Sequence, residues 1–64
     1  MNLIISEYTK IIAKNIKVNK EGQADTFDII DLAIEIGEDN NLYNNGNWND
    51  TNRDKCYAKA YEII

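Results

Sequence analysis

Apolar residues along the chain recur in three blocks with helical spacing. In the first, over residues 2–18, Ile4, Ile5, Tyr8, Ile11, Ile12 and Ile16 return every three or four positions and define one face. Glu7, Lys10, Lys14 and Lys17 form the opposite stripe, with the lysines toward the C-terminal half, where they complement the helix dipole. Asn15 falls inside the apolar arc, so it must sit at the edge or find a partner. Lys20-Glu21-Gly22-Gln23 reads as a connector, with Gly22 a suitable terminating residue.

The second block covers residues 26–37. Asp25 is a good N-cap, and Asp28 adds an early acidic residue. Ile30, Leu32, Ile34 and Ile36 also alternate as a strand would, and that reading stays open. The polar positions favour a helix, because Asp28, Asp31, Glu35 and Glu38 step by three, four and three into one acidic stripe. Phe27, Ile29, Ile30, Leu32, Ala33, Ile34 and Ile36 then occupy more than half the circumference. A helix of this kind has to be covered on more than one side, which predicts an apolar central helix, with self-association as one way to bury the excess.

The third block runs over residues 51–64, with Asp50 or Thr51 as its cap. Cys56, Tyr57, Ala60, Tyr61 and Ile64 share a face; Lys55, Lys59 and Glu62 lie opposite. Between the second and third blocks lie thirteen residues, Glu38 to Asp50, of which six are Asn. Helix–helix connections usually take about 2–8 residues. Asn45-Gly46 is a turn signal, since both tolerate positive φ. Leu42, Tyr43 and Trp48 are too apolar for filler and should pin the segment to the helices. Trp48 is expected to act as a lid on a small core, with a partner anchor as the alternative; Tyr43, beside the Asn-rich turn, is expected to be exposed.

These patterns predict an all-α fold, a compact three-helix domain spanning residues 1–64 as one unit. At 64 residues there is room for no second domain. Leu, Ile, Val and Phe make up 16 of the 64 residues, more than disordered chains carry. No apolar run approaches the roughly 18 residues of a membrane span, and the start does not resemble a signal peptide.

Composition removes most catalytic kits. There is no His, and the single Cys excludes an intramolecular disulfide and a Cys-based metal cluster. Cys56, on an apolar face, is expected to pack as a small hydrophobe. The closely spaced carboxylates lack an environment that would drive their pKa values apart, so the chain is read as no enzyme, with no catalytic residues. A calcium loop with Gly46 at its sixth position would draw on Asn41, Tyr43, Asn45 and Asn52, and the required carboxylates are missing. No metal and no cofactor is expected.

Charge carries more information. Residues 1–22 have a net charge of +2, residues 23–50 of −7 and residues 51–64 of +1, giving −4 in all. A basic first segment beside an acidic middle one favours either mutual packing or an acidic face offered to a cationic partner. Lys10, Lys14 and Lys17 could meet nucleic-acid phosphates, but overall acidity and the long second connection oppose direct nucleic-acid binding. Asp28, Asp31, Glu35, Glu38, Tyr43 and Trp48 are therefore the expected partner-binding residues, and a protein with a cationic surface the expected partner.

No motif identifies a family. Small size, acidity and Asn/Ile/Lys-rich usage resemble the accessory proteins of bacteriophages and mobile elements from AT-rich bacteria. That resemblance is one of composition. It implies a cytoplasmic protein of the infected host cell that inhibits a nucleic-acid-handling complex, as anti-CRISPR proteins do. The competing readings are a small-ligand-binding or sequestering homo-oligomer with Tyr and Asn lining a pocket between subunits, and a regulatory or structural protein.

Overall fold

A computed structural model describes residues 2–44 and 46–64. It is all-α, with three helices: α1 (Glu7–Asn15), α2 (Thr26–Asp39) and α3 (Asp50–Ile63). Residues 26–37 are helical, which closes the strand reading of that block.

α1 is much shorter than the spacing predicts. Ser6 caps it, its hydroxyl accepting from Thr9 N at 3.1 Å. Residues 2–5 stay non-helical, and the reason is a rival set of partners. Ile4 N donates to Asn40 Oδ1 at 2.7 Å and Ile4 O accepts from Asn40 Nδ2 at 2.9 Å, so one carboxamide satisfies the backbone as a neighbouring strand would. Leu3 and Ile5 pack against the core, while Ile4 faces out. The predicted apolar face is thereby divided. Tyr8 is 65% and Ile11 57% exposed, whereas Thr9 and Ala13 are buried and Ile12 and Ile16 half-buried. Asn15 stays exposed and donates from Nδ2 to Ile11 O at 2.9 Å.

The helix ends before Lys17, so of the stripe's three lysines Lys10 and Lys14 remain helical, with Glu7. Gly22, with φ +77°, terminates no helix. It serves a turn in which Gly22 N donates to Asn19 O and Asn19 N to Gln23 O, next to a single antiparallel bridge between Val18 and Ala24.

α2 follows the pattern more closely. Asp25 caps it through Phe27 N at 2.8 Å. Its buried residues Ile29, Leu32, Ala33, Ile36 and Gly37 step by three, one, three and one, a single core stripe. The rest of the apolar arc is incompletely covered: Ile30 and Ile34 are half-buried and Phe27 is 76% exposed. Of its two neighbours, α3 packs along α2 extensively and α1 much less. The ends of α2 and α3 show how they run. Tyr61 near the end of α3 shares a surface hollow with Thr26 at the start of α2, so the two are antiparallel. Cys56 and Ala60 of α3 are fully buried in the same core cluster as Leu32, Ala33 and Ile36. Small side chains on both helices let the pair approach closely.

The end of α2 is a Schellman motif. Asn41 takes φ +58°, Leu42 N donates to Gly37 O at 2.8 Å and Asn41 N to Glu38 O at 3.2 Å. Asn tolerates this left-handed geometry better than other non-glycine residues, which accounts for one of the six Asn in the connection. Another, Asn49, caps α3 by accepting from Asn52 N at 2.9 Å, one residue ahead of the predicted Asp50 or Thr51. The Asn45-Gly46 signal falls partly outside the described residues; of the pair, Gly46 has φ +73°.

Candidate functional site

The acidic residues of α2 lie on the side away from the core stripe. Asp31 and Glu38 are exposed, Asp28 and Glu35 half-buried. Their spacing places them on one helix face, as the sequence predicts. No side-chain hydrogen bond or ion pair neutralises them among the described residues. Every ion pair found there lies within α1 or α3: Lys10 with Glu7 at 3.1 Å, Arg53 with Asp50 at 3.3 Å and with Asp54 at 3.8 Å, and Lys59 with Glu62 at 3.3 Å. Among the described residues, the basic first segment thus makes no ion pair with the acidic middle one.

The like charges act on each other. Glu35 has its pKa raised above the ordinary carboxylate value, first by burial and then by the charges of Glu38, Asp39 and Asp31. The last turn of α2 contains no basic residue to balance the negative end of the helix dipole. Anions at this end are unfavourable by about 0.3–1 kcal/mol each in exposed positions. Of the stripe only Glu38 lies in that last turn; Asp28 lies in the first turn, where the dipole favours an acid.

Asp39 differs from the stripe because it has a structural partner. Its Oδ2 accepts from Ser6 N at 3.0 Å and from Thr9 Oγ1 at 2.6 Å. A carboxylate thus sits at the N-terminus of α1, where the dipole favours it. Asn40 continues the same seam, donating from Nδ2 to Ile36 O at 2.7 Å as well as to Ile4 O. Nothing in the hydrophobic periodicity points to this lock. The available signal is Ser6-Glu7, an N-cap followed by an acid, which marks where α1 begins.

The aromatic residues form a second group. Tyr43 and Trp48 meet edge to face, with centroids 5.2 Å apart and planes at 78°. The Trp48 ring rests on Gly37: a Cβ there would come within 2.5 Å of Trp48 Cζ3. Trp48 is half-buried, as a lid on the end of α2 would be. Tyr43 is also half-buried rather than exposed, because its backbone N–H reaches Gly37 O at 3.3 Å and its ring meets Trp48. Gly37 and the acidic stripe occupy opposite flanks of α2: at 100° per residue Gly37 falls beside Ile30 and Ile34, away from Asp28 and Glu35. The six predicted residues therefore form two features on different flanks of one helix rather than one patch.

Cys56 is fully buried, and burial raises its thiol pKa, so it lacks the thiolate character a nucleophile needs. Among the described residues no group of Cys, Asp and Glu converges to hold a metal ion, and no helix is long and apolar enough to cross a membrane.

No protein-family profile, no curated protein and no solved structure matches the chain.

Proposed function

We propose that this small acidic protein binds and inhibits a host macromolecular complex, presenting Asp28, Asp31, Glu35 and Glu38 to a cationic surface. The observation that carries this reading is the uncompensated stripe on α2. Its charges act on Glu35, Glu38 lies at the helix end where the dipole disfavours an acid, and among the described residues no lysine pairs with the stripe. A partner's Lys or Arg residues would relieve both effects on binding, and complementary charge speeds and orients association. Tyr43 and the exposed edge of Trp48 add apolar contact at the end of the same helix. The resemblance in composition to phage accessory proteins supports a nucleic-acid-handling complex as the target class, since such complexes carry cationic channels.

The experiment is affinity capture from a bacterial lysate, with parent protein and an Asp31→Lys/Glu38→Lys variant as baits. Mass spectrometry identifies what the parent retains and the variant loses. A partner with a basic surface, released as salt rises, supports the reading. Equal capture by both baits removes the stripe from the interface.

A further inference from the structure

A groove of about 220 Å³ opens between α1 and α3, away from the acidic stripe. Ala13, Ile5 and Ile63 supply its apolar lining; Lys10, Lys14 and Lys59 line it as well, and no acidic residue does. It exists because α1 turns the small Ala13 toward the core where a larger residue would have closed the gap. Lys59 is unusual for a surface lysine in that its side chain is only 28% exposed, so its methylene stem forms part of the wall. Lys10 and Lys59 each hold an exposed carboxylate one turn away, Glu7 and Glu62, pairs that are worth little. Lys14 makes no ion pair among the described residues.

We infer that this groove is a binding site for a small free carboxylate with a short apolar body, the chain or ring lying over Ala13 and Ile63 and the carboxylate meeting the lysines. The volume sets the size of the body. It exceeds the roughly 150 Å³ that houses a benzene ring and falls below the roughly 300 Å³ at which drug-sized pockets begin. Charge sets the head group: three lysines with no acidic neighbour in the lining select an anion, and the apolar floor excludes one that is wholly hydrated. The site is independent of the acidic stripe.

The test is titration of isotope-labelled protein with octanoate below its aggregation concentration, followed by NMR, with octanol and acetate as controls. Saturable shifts at Ile5, Ala13 and Ile63 are expected with octanoate, and far weaker ones with either control. Lys14→Gln and Lys59→Gln should each weaken binding about threefold and together about tenfold, in the range of exposed ion pairs. Circular dichroism confirms that both variants are folded. The Asp31→Lys/Glu38→Lys variant should bind octanoate within about twofold of the parent, as an independent site requires. Equal binding of octanoate and octanol, shifts centred elsewhere, or binding to anionic vesicles without saturable octanoate binding would each overturn the inference.

Discussion

The buried Thr9 hydroxyl donates to the Asp39 carboxylate across 2.6 Å, and through this contact the end of α2 holds the start of α1. The same oxygen receives Ser6 N, and Ser6 Oγ in turn donates to Thr9 Oγ1 at 3.0 Å while accepting from Thr9 N. α1 is short and makes few other contacts with α2, so this polar seam matters more than it would in a larger core. Asp39→Ala leaves the Thr9 hydroxyl and the Ser6 N–H without their shared acceptor. Its expected cost is about 1–3 kcal/mol in urea unfolding. Thr9→Val should cost less in the Asp39→Ala background than in the parent, because the two groups act together. Additive losses would mean that the contact contributes nothing specific.

Gly37 exists for Trp48. Alanine normally favours a helix interior over glycine by about 1 kcal/mol. Here the added Cβ would meet the indole at 2.5 Å, so Gly37→Ala is expected to destabilise by about 1–3 kcal/mol and to shift Trp48 fluorescence toward that of exposed indole. In a Trp48→Ala background the same substitution should be neutral or stabilising. A stabilising effect with Trp48 present would show that the ring does not rest there.

Core substitutions should follow the α2 stripe. Leu32→Ala empties a fully buried position and is expected to cost about 2–5 kcal/mol, enough to unfold so small a domain. Ile30→Ala and Ile34→Ala, at half-buried positions, should each cost clearly less. Comparable losses at all three sites would mean that the uncovered flank of α2 is buried in solution, as a homodimer would bury it; sedimentation at increasing concentration distinguishes that case.

Stability should also report the burial of Glu35 and the like charges around it. The Glu35 carboxyl has a raised pKa in the folded protein, so the folded state holds the proton more tightly than the unfolded chain does. Its contribution therefore lowers stability as pH rises from the ordinary carboxylate value through the raised one, and the penalty is complete above that. Glu35→Gln should remove this slope and raise stability at neutral pH by about 0.5 kcal/mol, the scale of like-charge pairs one helical turn apart. Urea midpoints measured against pH for parent and variant check it. A parent whose midpoint rises through this window with the same slope as the variant would contradict the assignment.

The helical class and the α2 acidic stripe are legible in the sequence because a 3.6-residue period survives at Asp28, Asp31, Glu35 and Glu38, and Asp25 marks the start. The extent of α1 is not legible from period alone. Ile4 and Ile5 fit a helical face, and what holds the segment out of the helix is a carboxamide 36 residues from Ile4, at Asn40. The lid position of Trp48 follows from its size, but its seat at Gly37 does not, since a glycine within a helix carries no directional signal. Tyr43 is half-buried through a backbone bond to that same residue's carbonyl, a contact fixed only once the Schellman turn forms. The groove over Ala13 is hidden for a similar reason: it depends on which face a short α1 turns inward.

Binding of the captured partner by Asp31→Lys/Glu38→Lys, measured beside its thermal unfolding, tests most directly whether the stripe is held for recognition. Both residues are exposed, and neither has an ion-pair partner among the described residues to lose. Lysine at position 38 also suits the end of a helix, so the variant should unfold at the same or a higher temperature than the parent. Its partner affinity should fall by tenfold or more on the order-of-magnitude scale of charge reversal at an interface, most steeply at low salt. Undiminished affinity in this folded variant would contradict a binding role for the acidic stripe.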